Sequence, residues 1–442
     1  MNITARTAWK PAAVFSVAAL ALTACGPDTS GEGTAGETEE IDWSEVEPAE
    51  SITFWTNHPG GSQDVEQELI DEFTEETGIE VELVTSGANY EETSQRFQTA
   101  QGTGDVGDVV VLSDATWFTN YLNDALIPVD DVLEAAEVDV SGYVEALYED
   151  YLYEDSHYGV PYARSTPLFY YNADHYEEAG IEDVPTTWEE VEEVSQQLME
   201  AEVASSAFAF PPQDQYPAWT MANLVWGYGG GWSDEWDFST VSSQETIEAL
   251  EFAQEAAGDW ASVASGDQAD DFAAGVASQV VQSTGSLGGI LESAEFEVGT
   301  AFLPTGPNGE ENVVPTGGAG LMIAAESEPE RQLAAAMFVG HMTSAESTAK
   351  FSEATGYVPV HQDADMSDVY EETPQFETAV NQLERTRVQD FARVFLPGGD
   401  LELAQTLQRI LTEDVDVAEE MERVEGEFES LYERDLAAEL DG

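Results

Sequence analysis

Positive charge is what this sequence has least of. Its 442 residues include 12 Lys and Arg against 90 Asp and Glu, which gives a formal net charge of −78 at pH 7. Because no basic stripe is available to neutralise phosphates, this composition excludes binding to nucleic acid or to anionic lipid headgroups. A coat of carboxylates repels itself and is best tolerated in concentrated salt. We therefore expect an acidic, halophilic protein, with an ordinary acidic exported protein as the alternative.

Cysteine is equally scarce, since Cys25 is the only one. It follows Arg6, Lys10 and the short apolar run "PAAVFSVAALALTA", an arrangement typical of a secretory signal peptide. The sequence "LTACG" resembles the lipobox of bacterial lipoproteins, in which the chain is cut before the cysteine and the thiol is acylated. We predict a signal peptide over residues 1–25, a lipid on Cys25 and a location on the extracellular face of the cell membrane.

Long apolar runs are missing after the leader, and none approaches the ~20 residues of a membrane span. Residues 26–50 are rich in Gly, Thr, Glu and Pro, which predicts a flexible tether. The chain is nevertheless 42% hydrophobic and 10% aromatic, which is enough for folded cores. Its length favours two domains.

Signatures of catalysis and of metal binding are also missing. Neither lysine, Lys10 or Lys350, follows a glycine, so a Walker phosphate loop is excluded. The five histidines are scattered, and no metal or cofactor is predicted. "STGSLGG" departs from the nucleophile motif G-x-S-x-G because Thr284 lies two places before Ser286. We expect no enzyme and keep a secreted lipoprotein hydrolase as the alternative from another class.

What the sequence does contain, from residue 51 onward, is alternating strand and helix patterns. "SITFWTN", "IEVELVTS" and "DVVVLSD" have the composition of strands, as does the later "VASQVVQSTGS". "SQDVEQELIDEFTEETG" and "TTWEEVEEVSQQLMEA" have apolar residues at helical spacing, the second behind a capping Thr186 or Thr187. This alternation predicts an α/β fold with a mostly parallel sheet and helices on both faces.

Several segments, in order, resemble the carbohydrate-type extracellular solute-binding proteins of ATP-binding-cassette importers. The likeness covers about residues 50–440 and includes "TAQGTGDVGDVVVLSDATW", "GVPYARSTPLFYYNADHYEEAG" and "ATGYVPV". It implies a type II periplasmic-binding-protein-like fold with two lobes, hinge strands and a solute cleft that closes on binding. We expect one lobe from 51–161 and about 313–365, and the other from 162–312 and about 366–442. The resemblance also implies a monomer that docks on permease subunits.

Within that family the chain most resembles the glycerol-3-phosphate and glycerophosphodiester binding proteins, with which it shares "NYE", "STP-x-x-YYN" and "GGA". The subgroup's phosphate-binding arginine falls near Gln408 and Arg409, so it is either Arg409 or missing. A neutral sugar or oligosaccharide therefore stays open as the solute. The ligand contacts that the resemblance implies are Tyr90, Asp114, Ser165, Ser283 or Ser286, Gly318 and Tyr357.

The residues themselves favour a polar and aromatic cleft. A carboxylate such as Asp114 accepts hydroxyl hydrogen bonds from a polyol, and an aromatic ring packs on its apolar face. The segment 211–236 contains four Trp, of which we expect Trp219 or Trp226 to form a cleft wall, with burial in the core as the alternative. Ser286 precedes a helix at a Gly-rich turn, which predicts either an anion or hydroxyl site or a plain helix cap.

Arg164, in "PYARSTPLFYYN", needs a reason in a chain with so few cations. Its guanidinium could bind a phosphate in bidentate fashion, or it could be clamped to a carboxylate at the hinge. Both interpretations stay open, and we expect the neighbouring Ser165 to face the solute.

Overall fold

The structure is a computed structural model that describes residues 41–58, 61–307 and 313–440. The predicted signal peptide, the first part of the predicted tether and the predicted lipidation site Cys25 lie outside the described residues. From Trp43 onward the described residues belong to one compact unit.

Short strands recur along the described residues. They are β1 Ser51–Thr56, β2 Glu80–Thr85, β3 Val109–Ser113, β4 Leu152–Tyr153, β5 Ser156–His157, β6 Val160–Ser165, β7 Pro167–Asn172, β8 Ser206–Phe210, β9 Ala261–Val263, β10 Ala277–Ser283, β11 Val298–Ala301, β12 Val314–Pro315, β13 Gly317–Ile323 and β14 Thr386–Arg387.

Helices separate most of these strands and make up the C-terminal part. They are α1 Gly61–Thr77, α2 Tyr90–Ala100, α3 Trp117–Tyr121, α4 Asp130–Ala135, α5 Glu145–Tyr148, α6 Ala173–Ala179, α7 Trp188–Glu200, α8 Pro217–Thr220, α9 Ala222–Tyr228, α10 Gln244–Asp259, α11 Gln268–Ala273, α12 Leu287–Ser293, α13 Pro329–Met342, α14 Ala345–Thr355, α15 Ser367–Glu372, α16 Pro374–Gln382, α17 Phe391–Val394, α18 Gly399–Thr412, α19 Val417–Asp435 and α20 Ala437–Leu440. Within the described residues, no helix has both the length and the apolarity of a membrane span.

Two five-stranded sheets organise the molecule, with strand orders β2-β1-β3-β13-β6 and β11-β7-β10-β8-β9. The prediction of a mostly parallel sheet is wrong, because each sheet has two parallel and two antiparallel strand pairs. Every antiparallel pair contains β7 or β13, the two strands that enter a sheet after the chain has left the other one. Strands joined by a helical crossover within one sheet run parallel, whereas a strand arriving from the other sheet is free to run the opposite way.

The chain first passes from one sheet to the other at Thr166, between β6 and β7. This is a few residues later than the predicted boundary at 161, because all of β6 pairs with the first sheet. The backbone carbonyl of Thr166 accepts a hydrogen bond from the amide of Thr284 at 3.0 Å. Gln382 donates to the carbonyl of Pro167 at 2.8 Å, so later segments hold this crossing in place.

Local signals explain where the site-forming elements begin. Thr187 caps α7 by accepting the amide of Glu190 at 3.2 Å, as the sequence predicts. Asn89 caps α2 in the same way, accepting the amide of Glu92 at 2.8 Å, and thereby places Tyr90 at the start of that helix. Strands β3, β6 and β8 are buried throughout, so both of their faces are covered.

Candidate functional site

A cavity of about 160 Å³ lies between the two sheets, at the ends of β3, β6 and β10 and the start of β13. The structure brings most of the predicted contacts together in it, although their role in binding stays a prediction. The predicted residues that line the cavity are Tyr90, Asp114, Ser165, Trp219, Ser283, Ser286, Gly318 and Tyr357.

One side of the cavity presents hydroxyl groups of two tyrosines. The hydroxyl oxygens of Tyr90 and Tyr357 are 3.2 Å apart. Burial raises the pKa of both phenols above their ordinary value, and for Tyr90 the neighbouring Tyr357 raises it further. The ring of Tyr357 stacks on Phe351 with 5.8 Å between centroids. Both hydroxyls therefore stay protonated at neutral pH and can act as hydrogen-bond donors.

Three serines supply further hydroxyls. Ser165, at the end of β6, is almost fully buried yet borders the cavity. Ser286 makes no side-chain capping bond to α12, so the interpretation as a plain helix cap is not supported and its hydroxyl is left for another partner. The hydroxyl of Ser283 instead accepts the amide of Gly285 at 3.1 Å and holds the turn.

Two glycines at the start of β13 let the backbone approach the cavity. Gly318 has φ of +103°, and a Cβ there would collide with the carbonyl oxygen of Ala163. A Cβ on Gly317 would collide with the indole of Trp219. That indole donates to the carbonyl of Thr316 at 2.9 Å and is held against the cavity wall.

The acidic side of the cavity contains a buried arginine that the sequence analysis did not single out. Arg393, on α17, is 4% exposed and lies 3.1 Å from Asp114 Oδ2 and 3.1 Å from Asp400 Oδ1. Burial lowers the pKa of this guanidinium, but Asp114 and Asp400 outweigh that effect and raise it. Burial raises the pKa of Asp400, although Arg393 opposes the shift.

A signal for Arg393 is present in the sequence. It lies in "FARVFL", an arginine among apolar residues, and such a position indicates a buried cation. The resemblance to the glycerol-3-phosphate subgroup, aligned without gaps, predicts Arg409 instead. The prediction of Arg409 as a ligand contact is corrected. Its guanidinium, on α18, donates from Nε and Nη2 to Glu420 on α19, and Arg409 does not line the cavity.

Arg164 does not line the cavity either. It is fully buried, donates to the hydroxyl of Tyr151 at 2.8 Å and forms a salt bridge with Asp150. Asp150 also accepts the hydroxyl of Thr316 at 2.6 Å, which ties the crossing strand β6 to the strand entry at β13. Of the two interpretations, the structure supports the salt bridge at the crossing and corrects the assignment of Arg164 as a ligand contact.

Trp226 belongs to the core and not to the cavity wall. Its indole donates to Asp390 Oδ2 at 2.9 Å, and the guanidinium of Arg387 lies 4.2 Å above its ring. The aromatic segment is thus divided, with Trp219 on the cavity and Trp226 in the core.

Comparison with known proteins gives a consistent result. A model of the family described as bacterial extracellular solute-binding protein matches residues 68–378. The sn-glycerol-3-phosphate-binding periplasmic protein UgpB of Escherichia coli (strain K12) is 26% identical over 355 residues, covering 75% of this chain and 80% of that protein.

Solved structures show the same architecture. The crystal structure of UgpB from Mycobacterium tuberculosis in complex with glycerophosphocholine has a TM-score of 0.83 and 39% identity, covering 87% of this chain and 99% of that one. The GacH receptor of Streptomyces glaucescens has a TM-score of 0.75 at 19% identity, covering 87% of this chain and 98% of that one. These likenesses confirm the predicted type II fold with two sheet-containing lobes.

Proposed function

Because this chain belongs to the bacterial extracellular solute-binding proteins and is the solute-binding receptor of an ATP-binding-cassette importer, we propose that its solute is a glycerophosphodiester with a cationic head group. The UgpB of Mycobacterium tuberculosis was crystallised with such a molecule, glycerophosphocholine, which supports this choice.

The observation that carries the proposal is the position of Arg393. Within the described lining, Arg393 is the one guanidinium, and it borders the cavity together with Asp114 and Asp400. A buried guanidinium pairs strongly with a phosphate oxygen, because charge-assisted hydrogen bonds are about twice as strong as neutral ones. The role that the resemblance implied for Arg409 passes to Arg393 in this proposal.

The carboxyl groups of the lining favour a diester over a monoester. Glu91, Asp114, Asp267 and Asp400 all border the cavity around the single arginine. A phosphomonoester such as glycerol 3-phosphate brings a charge of about −1.5 to −2 at neutral pH, which these carboxylates repel. A diester with a choline head group has no net charge, and its cation is attracted to the same carboxylates.

Hydroxyl donors and an aromatic wall complete the match. The hydroxyls of Tyr90, Tyr357, Ser165 and Ser286 can donate to phosphate or glycerol oxygens. The indole of Trp219 offers an apolar face for the glycerol carbons or the methylated ammonium group. Since Ser165 belongs to the first sheet and Ser286 follows β10 of the second, we propose that the solute stabilises a closed arrangement of the two lobes by contacting both.

Calorimetric titration of the purified domain at high salt tests the proposal. We expect glycerophosphocholine to bind at least about tenfold more tightly than glycerol 3-phosphate, and maltose to give no binding heat. Tight binding of maltose without binding of either phosphate would replace the proposal with the neutral-sugar alternative. Appearance of free choline or glycerol 3-phosphate during incubation would point to the hydrolase alternative.

A lipid on Cys25 is a separate part of the proposal. The "LTACG" resemblance supports it, and the acylated cysteine would hold the receptor on the outer face of the membrane. Mass spectrometry of the protein expressed in its host should find an acylated N-terminal cysteine. A mature protein whose N-terminal Cys25 carries no acyl group would contradict the anchor.

A further inference from the structure

A buried histidine and glutamate lie behind the tyrosine side of the cavity and are not part of its lining. Glu66, on α1, has no exposed surface, and His58, just after β1, is 6% exposed. His58 Nδ1 is 2.9 Å from Glu66 Oε1. The same oxygen accepts the hydroxyl of Thr56 at 3.0 Å and that of Tyr162 at 3.2 Å.

The pair is connected to the cavity through the tyrosine hydroxyls. His58 Nε2 is 3.4 Å from the hydroxyl oxygen of Tyr90. That oxygen is in turn 3.2 Å from the hydroxyl oxygen of Tyr357. A chain of polar side chains therefore runs from the buried carboxylate of Glu66 to the hydroxyls of the two tyrosines that border the cavity.

The direction of the hydrogen bonds in this chain follows from the burial of Glu66. A carboxylate removed from water needs an opposite charge nearby, because burying an isolated ion is strongly unfavourable even after the protein relaxes around it. Among the described residues, His58 is the one basic side chain within salt-bridge distance of Glu66. With both ring nitrogens protonated, Nδ1–H donates to Glu66 and Nε2–H donates to Tyr90.

This direction leaves the hydroxyl proton of Tyr90 for Tyr357 and the hydroxyl proton of Tyr357 for an acceptor in the cavity. If His58 Nε2 carried no proton, it would accept the hydroxyl proton of Tyr90, and Tyr90 would then accept that of Tyr357. Both hydroxyls would then turn lone pairs toward the cavity. Burial raises the pKa of each tyrosine above its ordinary value, so neither hydroxyl loses its proton at neutral pH.

We propose that His58 and Glu66 are positioning residues that, through Tyr90, make the Tyr357 hydroxyl a hydrogen-bond donor toward the anionic group of the solute. The inference rests on the proposed function, since it assigns this side of the cavity to the phosphate oxygens. It adds two residues that do not touch the solute but determine whether Tyr357 donates a hydrogen bond to it.

The surroundings of His58 allow its interaction with Glu66 to be tested by a single substitution. Besides Glu66 on α1, its ring faces Tyr90 from α2, Tyr162 from β6, and Phe351 and Tyr357 at the end of α14, with ring centroids 5.9–6.2 Å away. Among these neighbours Glu66 is the one carboxylate. A change of that one charge therefore tests the proton on His58.

A Glu66→Gln variant keeps the shape of the side chain and removes its charge. We expect its affinity for glycerophosphocholine at pH 8 to be about tenfold weaker than that of the wild type. The matched control is Glu68→Gln, which changes an exposed residue on the same helix and should behave like the wild type.

A Tyr90→Phe variant and the double variant Glu66→Gln/Tyr90→Phe separate positioning from general destabilisation. If Glu66 acts through the Tyr90 hydroxyl, its substitution should add almost nothing once that hydroxyl is gone. A Glu66→Gln loss that adds fully to the Tyr90→Phe loss would overturn the inference, as would unchanged affinity of Glu66→Gln. A wild-type protein that binds a neutral sugar and no phosphodiester would overturn the proposed function instead.

Discussion

Arg164 and Arg393 are both buried, but they lie in regions with different tasks. Arg164, at the end of β6, bonds Asp150 and Tyr151, and none of the three borders the cavity. Arg393, on α17, has Asp114 and Asp400 as partners, and all three border it. Burial of a cation therefore does not identify a ligand contact in this protein; the position of its partners does.

The largest expected effect concerns the salt bridge between Arg164 and Asp150, which lies outside the cavity lining. Replacing Arg164 with alanine leaves Asp150 buried without its cation, and breaking such a pair costs about 3–5 kcal/mol of unfolding free energy. Denaturant unfolding at high salt measures the loss. Arg434→Ala removes an exposed partner of Asp435 and should shift the midpoint far less. An Arg164→Ala protein of normal stability that no longer binds solute would show that Arg164 acts in binding and not in stability.

The second effect concerns Arg393 and Asp114, the pair that borders the cavity. Arg393→Gln should weaken glycerophosphocholine binding about a hundredfold, because the proposed charged contact of Arg393 with the phosphate is lost. Titration calorimetry measures it. Arg409→Gln is the matched control, since Arg409 is paired with Glu420 outside the cavity lining, and it should bind like the wild type. The opposite result for the two variants would return the phosphate contact to Arg409.

A third pair of changes repeats the comparison with tryptophans. Trp226→Phe removes a hydrogen bond to the buried carboxylate of Asp390 and should lower the unfolding free energy by about 1.5–3 kcal/mol, with solute affinity preserved. Trp219→Phe changes the cavity wall and should weaken solute binding about threefold to tenfold with little loss of stability. Equal effects of the two variants on affinity would contradict the division between wall and core.

The smallest effect is a difference in pH dependence. Because burial raises the pKa of Asp400 above 3.8, the folded state binds this proton more tightly than the unfolded chain does. That stabilisation is complete below pH 3.8 and is lost as the pH rises through the folded pKa. The unfolding free energy of Asp400→Asn should therefore increase relative to that of the wild type as the pH rises.

Asp435 provides the control of opposite sign in unfolding measurements without solute. The bond from Arg434 lowers the pKa of Asp435, so its stabilisation is present above pH 3.8 and is lost as the pH falls. The unfolding free energy of Asp435→Asn should therefore decrease relative to that of the wild type as the pH rises. The same sign of change in both variants would contradict the assignment for Asp400.

Much of the fold was predictable because its signals are local. The cap at Thr187 and the strands β1 to β3 follow from residue patterns within short windows, whereas the crossing in "RSTPLFYYN" follows from the resemblance to a known family. Most of the cavity residues were also predictable, because they lie in segments that resemble a known subgroup. The mixed direction of each sheet was not predictable from alternation alone, since it depends on how β7 and β13 return between the sheets.

The sequence by itself determined an acidic α/β protein with few cations and the polar residues at its strand ends. Only the tertiary structure decided the partner of each arginine. Arg164 meets Asp150 from 14 positions away, whereas Arg393 meets Asp114 across 279 positions. With 90 acidic residues in the chain, every arginine has many possible partners. Because ion pairs depend on distance in space and on exclusion of water, only the packed structure selects among them.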